Sequence, residues 1–274
     1  MLSVDLIVQL IGYACALLVG ISLGILGSGG SILTVPILVY LLHVDPVDAT
    51  GYSLFIVGMT SAIGCVPYIR KKLVNEKIAL IFGLPSIISV FLTRKYLLPS
   101  FPDPIFSSSS ITISKDLLII ILFAVLMVAS AYNMIRNAEY KEPDEKNFKT
   151  TNYVLLSCIG LISGILSGIL GVGGGFIIIP ALVLLAKIPI RMSVGTSLLI
   201  IAFNSLSGFA GEFIEKHESM DYSMLILFAI LSVIGTFIGF RLTLRLYPSQ
   251  LKRIFGWFVL VMGISIMIKE IFLR

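Results

Sequence analysis

Charge is what this chain has least of. Only 13% of its 274 residues are Asp, Glu, Lys or Arg, against about 25% in an ordinary soluble domain, which excludes that class. Histidine is limited to His43 and His217. They stand in separate polar loops and read as solvated or capping residues, so no metal site is expected. The three cysteines, Cys15, Cys65 and Cys158, lie inside or at the edge of apolar segments. They show neither metal-ligand spacing nor an even disulfide framework, and read as small packing residues. No Lys or Arg precedes Arg70, so no cleaved signal peptide is expected and the first helix should stay in the mature chain. A membrane-embedded enzyme would need clustered His, Asp, Glu or Cys at membrane depth. The sequence lacks such a cluster, so neither a catalytic residue nor a cofactor is expected.

What is present is apolar. Hydrophobic residues make up 57% of the chain and the mean hydropathy is +1.04. Runs near the roughly 18 residues needed to cross hydrocarbon fill most of the length, which predicts an all-α polytopic membrane protein in contact with the lipid bilayer. Ten apolar segments can be read, at about 4–26, 31–43, 49–69, 78–98 and 116–136, then 152–170, 175–186, 192–214, 222–240 and 251–271. Segments 31–43 and 175–186 are too short to cross about 30 Å alone at 1.5 Å per residue, which favours a hairpin with the segment before each. Pro99 to Ser114 reads as a polar loop rich in Pro and Ser. The net charge of +5 is spread between segments, where it sets topology; nucleic-acid binding would gather it on one face.

The chain repeats itself. Gly27-Ser28-Gly29-Gly30-Ser31 breaks an apolar run, and Gly171-Val172-Gly173-Gly174-Gly175 breaks another 144 positions later. Sliding residues 20–67 onto 164–211 without a gap matches Gly20, Gly24, Gly27, Gly29, Gly30, Pro36, Gly51, Ser53 and Gly64 with identical residues. Duplicated, glycine-broken hydrophobic segments point to a transporter's binding site. The expected organisation is a first transmembrane repeat at 1–136, a polar linker at 137–151 and a second repeat at 152–274. Five segments per half invert one half relative to the other. The loops agree: 70–77 carries Arg70, Lys71, Lys72 and Lys77, whereas its mate near 212–221 carries Lys216 among four acidic residues. Placing both termini outside and the linker in the cytoplasm puts 14 of the 20 Lys and Arg inside, as basic residues prefer. An inner-membrane location follows as an expectation.

The glycine clusters are the first candidate site. Glycine tolerates positive φ and leaves its N–H unshielded, and a turn opening onto a helix N-terminus offers donors to an anion. Gly27, Ser28, Gly29, Gly30 and Ser31, with Gly171, Gly173, Gly174 and Gly175, are therefore expected to hold substrate. Simple close packing is the competing role, and is the one expected for Gly20, Gly24, Gly160, Gly164 and Gly168. Neither cluster fits a nucleotide motif. A second duplicated patch contains Ser53 and Ser197, and further on Thr60 and Ser61 align with Asn204 and Ser205. Ser53, Ser197 and Asn204 are candidate ligands for an oxoanion, and serve equally well as interhelical hydrogen bonds. Glu212, near the end of its segment, reads as interfacial, with a coupling proton as the other role. Arg191 reads as a topology determinant, and Arg94 belongs to the external stretch 94–115.

With these residues in view, the chain resembles the TauE/SafE sulfite exporter family of bacterial membrane transporters over essentially its full length. The second-half string from Gly168 through Gly171, Gly173, Gly174 and Gly175 to Pro180 carries the likeness, and the first half departs from it at Ser28 and Ser31. The resemblance implies transport of a small sulfur-containing anion, sulfite or an organosulfonate such as sulfoacetate. Export by alternating access is expected, with a proton-coupled anion importer or an anion channel as alternatives.

Overall fold

Inside hydrocarbon a backbone must satisfy its own hydrogen bonds, and a helix does so within one segment. The computed structural model describes residues 2–27, 29–100, 102, 106–108, 111–113, 115–136, 153–171, 173, 175–180, 182, 188–216 and 220–243, with 250, 253, 256, 257, 260, 261 and 263–268 beyond. Helix α1 spans Leu2–Leu26, α2 Gly29–Tyr40 and α3 Pro46–Arg70. Helix α4, Glu76–Leu92, runs through a π-helical turn, Thr93–Leu97, into the three-residue α5, Leu98–Ser100. Helix α6 is Lys115–Arg136. The second half contains α7 Tyr153–Leu170, α8 Gly175–Pro180, α9 Ile190–Lys216 and α10 Tyr222–Thr243. Described residues from 250 to 268 are helical.

Where their residues are described, the apolar segments read from sequence coincide with helices, and local chemistry sets several ends; parts of 175–186 and 251–271 lie outside the described residues. Pro46 opens α3 at a position where its missing N–H costs nothing. The Asn75 side chain accepts from the Ile78 amide at 3.2 Å and caps α4. One expectation needs correcting. The stretch read as a plain polar loop holds a small hairpin, β1 Phe106–Ser108 antiparallel to β2 Ile111–Ile113. The β-branched Ile111, Thr112 and Ile113 suit a strand, and Phe106 pairs with Ile113.

Five helical stretches are long and apolar enough to cross a membrane among the described residues: Pro46–Arg70, Glu76–Ser100, Tyr153–Leu170, Arg191–Ile214 and Tyr222–Leu242. Their outward faces are apolar. Leu80, Leu84 and Ile88 are exposed along α4, and Ile226, Ile230 and Ile234 along α10. The four-residue spacing makes each set one stripe, which in water would be a liability and in lipid is the normal surface.

Inside, α3 packs on α9 at the centre. Leu54, Ile56 and Val57 are buried on one helix, and Leu198, Ile200 and Ile201 on the other. Around them α1 packs on α10, α7 on α4, α4 on α9, α10 on α3, and α2 folds back on α1. The repeat exchanges α1 with α7, α3 with α9 and α4 with α10, so each packed pair maps onto another. The close pairs rely on small residues, as the sequence predicts. A Cβ at Gly20 would run into the Ser232 carbonyl and one at Gly24 into that of Thr236; Gly160 and Gly164 stand in the same way against Phe82 and Ser86. Hydroxyls bond across these seams. Ser232 Oγ donates to the Ala16 carbonyl at 3.0 Å and Thr236 Oγ1 to that of Gly20 at 3.1 Å. Ser89 Oγ donates to the Leu161 carbonyl at 2.9 Å. Such bonds average about 0.6 kcal/mol each in a membrane protein.

Candidate functional site

Both turns begin the same way. The Gly27 amide donates to the Leu23 carbonyl at 2.7 Å and the Gly171 amide to that of Ser167 at 2.9 Å. The chain then swings into the left-handed region, with φ of +69° at Gly27 and +70° at Gly171; Gly173 follows at +68°. A side chain there costs roughly 1–2 kcal/mol, and at these points space is also lacking. A Cβ on Gly27 would lie 2.8 Å from Val194 Cγ1 and 3.0 Å from Ser197 Oγ. One on Gly171 would strike the Thr50 carbonyl and lie 2.5 Å from Thr50 Cα. Thr50 and Val194 are repeat mates, so each turn is seated on the long helix of the opposite half.

Gly173 reaches further in. Its Cβ would meet Ser205 Oγ, lie 2.8 Å from Ile201 Cγ2 and 3.3 Å from Val57 Cγ1. Val57 and Ile201 are repeat mates, and Val57 stands eleven residues beyond Pro46. At 1.5 Å per residue that is about 17 Å along α3, near the middle of a helix crossing some 30 Å of hydrocarbon. Gly30 also lets α2 lie on the Val19 carbonyl of α1. Gly29 opens α2 and Gly175 opens α8; Ser31 is buried. Ser28 and Gly174 lie outside the described residues.

The polar candidates divide sharply. Ser197 Oγ donates to the Val194 carbonyl at 2.8 Å and reaches the Gly27 carbonyl at 3.5 Å. Its repeat mate Ser53 is equally buried and has no partner. Asn204 Nδ2 donates to Ser86 Oγ at 2.6 Å, while its Oδ1 is unpartnered. Ser61 and Ser205, mates in the repeat, are buried without partners, as are Ser163 and Ser167 on α7. Thr60 is satisfied by the Ile56 carbonyl of its own helix. Each unpaired buried hydroxyl costs about 1–3 kcal/mol, so this is an expensive concentration of polar atoms. Three of these hydroxyls lie by the second turn. Ser205 touches Gly173, Ser53 follows one helical turn after Thr50, and Ser167 lies one helical turn before Gly171 on α7.

The burial of two charges is not legible in the sequence. Arg94, assigned to an external stretch, is fully buried inside the span. Glu212, read as interfacial, is 6% exposed and accepts from Arg94 Nη1 at 2.7 Å. The partners are 118 residues apart, so no local pattern announces the pair. Burial without a partner would have excluded either residue, since one charge at membrane depth costs at least about 2.5–3.5 kcal/mol. Arg191 is exposed, and so is His43. Cys65 is buried as expected, but Cys158 is exposed on α7.

Comparison with known proteins agrees with this architecture. A family model described as sulfite exporter TauE/SafE matches residues 12–266. A probable membrane transporter protein of Xylella fastidiosa is 29% identical over 254 residues, covering 91% of each chain. One from Methanocaldococcus jannaschii is 26% identical over 268 residues, covering 92% of this chain and 94% of its own. Another, from Bacillus subtilis, is 30% identical over 237 residues, with 86% and 90% covered. No solved structure matches. The chain belongs to the sulfite exporter TauE/SafE family and is a multi-pass membrane transporter.

Proposed function

We propose that the protein is a secondary transporter that moves a small sulfur-containing anion, sulfite or an organosulfonate such as sulfoacetate, out of the cell by alternating access. One observation carries the reading. Two positive-φ glycine turns are each seated on the opposite half's long helix, and buried hydroxyls that lack partners lie beside the second of them. The ligands in this reading are the turns at 27–31 and 171–175 with Ser53, Ser197 and Asn204, joined by Ser61 and Ser205. Neutral donors suit an anion that must leave again, because conduction needs binding weak enough to release. Asn204 Oδ1, an acceptor, suits an oxygen that carries a proton, as in hydrogensulfite.

The halves 1–136 and 152–274 lie inverted in this scheme. The linker 137–151 faces the cytoplasm, both termini face outward, and access alternates as one half moves against the other. A negative-inside potential favours anion export by about 2.3 kcal/mol per charge per 100 mV, so no coupling ion is required. No catalytic step enters the reading. Flux of radiolabelled sulfite in proteoliposomes under a clamped potential tests it. Outward movement accelerated by inside-negative voltage is expected, and sulfite flux indifferent to voltage sinks the uniport.

A further inference from the structure

Among the described residues the spanning helices hold one ion pair, and it stands apart from the glycine turns. Arg94 offers Glu212 a single nitrogen, Nη1, at 2.7 Å. Its Nε and Nη2 are buried and have no hydrogen-bond partner. Those two nitrogens form the side-on edge of the guanidinium, whose parallel N–H groups match two oxygens of a carboxylate or other oxoanion. A buried arginine is thus held by one contact with its best anion-binding edge unused.

The repeat shows that the fold does not need charge at this place. The mate of Glu212 is Tyr68. The counterpart of Arg94 is Phe240, because each lies eight residues beyond the serine that faces a repeat-mate glycine, Ser86 under Gly164 and Ser232 under Gly20. Tyr68 and Phe240 meet edge to face, with ring centroids 5.1 Å apart. The surrounding backbone is matched too. A Cβ at Gly195 would lie 2.9 Å from Tyr68 Cβ, and one at its mate Gly51 would enter the Glu212 carboxylate. One half fills this position with rings and the other with an ion pair. Apolar filling is generally as stable as a buried pair or more so, so packing does not explain the charge.

Two further features mark the place. Arg94 lies in the π-helical turn Thr93–Leu97, whereas α10 passes its counterpart as regular helix; π turns inside helices concentrate at functional sites. The pair also adjoins the second glycine turn. The Glu212 carboxylate rests on Gly51, and the neighbouring Thr50 is the residue on which Gly171 is seated.

We propose that Arg94 is an anion-binding residue on the route to the second glycine turn, taking two oxygens of the travelling oxoanion on its Nε–Nη2 edge. Glu212 competes for the same cation and keeps the affinity low enough for release. The assignment rests on the anion-transport reading above and deepens it. It selects for ligands with two adjacent oxygens, so sulfite and sulfoacetate compete for this site and chloride does not.

The test is uptake of radiolabelled sulfite by full-length protein in proteoliposomes, with folding followed by thermal unfolding in detergent. Arg94→Lys keeps the charge and loses the fork; half-saturation should rise about tenfold, as for the loss of one good charged contact, with maximal rate largely kept. Glu212→Gln removes the competitor, and half-saturation should fall about threefold or more. The double variant R94F/E212Y transplants the other half's ring pair. It should fold with an undiminished thermal midpoint and lose most flux at low sulfite. Wild-type half-saturation in all three variants, with wild-type flux intact, overturns the Arg94 assignment alone. So does a Glu212→Gln protein whose stability falls while its half-saturation stays put, since that is the signature of a structural staple. If the double variant does not fold, the opposed shifts of the two single variants decide the matter. Wild-type vesicles inert to both sulfite and sulfoacetate overturn the transport reading itself, and this assignment with it.

Discussion

The two glycine turns open on matching left-handed glycines and then differ. The first enters its helix at Gly29; the second passes a further left-handed glycine, Gly173, before its helix starts at Gly175, and their surroundings differ too. At the first, Gly27 faces side-chain atoms of Val194 and Ser197 before the Val194 Cα at 3.1 Å, and the Ser197 hydroxyl is satisfied. At the second, Gly171 faces backbone of Thr50, and Ser53, Ser167 and Ser205 leave hydroxyls unpaired nearby. Duplication preserved what the chain path demands, a residue without a Cβ at positive φ. It left the polar lining free to diverge. The lesson is that a repeated fold need not repeat the satisfaction of its polar groups, and in the proposed site the second turn has the more unpaired hydroxyls beside it.

Substitutions can break this comparison. The largest effect is expected at Gly171→Val, where a left-handed φ and a collision with Thr50 backbone combine. A loss beyond about 4 kcal/mol should keep folded protein from accumulating, as size-exclusion profiles in detergent would show. Gly27→Ala meets the same backbone cost of about 1–2 kcal/mol, but its neighbours include side-chain atoms that can shift. It should fold with a lowered thermal midpoint, and equal damage at both turns would refute the proposed difference.

A subtler contrast separates binding from glue. Ser53→Ala and Ser205→Ala remove unpaired hydroxyls, so their thermal midpoints should hold or rise while sulfite half-saturation increases several-fold, on the order of 1 kcal/mol per lost contact. Ser232→Ala breaks a made bond to Ala16 and should do the reverse, losing about 0.6 kcal/mol of stability with half-saturation unchanged. A Ser205→Ala protein with unaltered sulfite kinetics would remove that residue from the site. The smallest effect is expected at Gly83→Ala. Its Cβ would find Ile200 Cγ1 at 3.7 Å, an ordinary contact, and a helix-interior glycine replaced by alanine gains up to about 1 kcal/mol. A slight rise in thermal midpoint with unchanged flux is the outcome to look for.

Some of this was legible before any coordinates. The glycines at 27, 171 and 173 stood out because no other residue suits positive φ without room for a side chain, and Gly20, Gly24, Gly160 and Gly164 because close helix seams exclude a Cβ. The polar atoms were legible only as types. Ser53 and Ser197 are identical in sequence and repeat position, yet one is bonded and one is not, since the difference lies in neighbours brought by other helices. The burial of Arg94 was not legible because charge near a segment's end is ordinarily solvated.

By itself, then, the sequence determined the class, the helices, the duplication and the bends, all of which follow from hydropathy and local backbone sterics. Only the tertiary structure decided that Arg94 meets Glu212, that rings fill the matching place in the other half, and which hydroxyls go unpaired. Those outcomes depend on atoms far apart in the chain, and no local rule fixes which of them come within reach of a hydrogen bond.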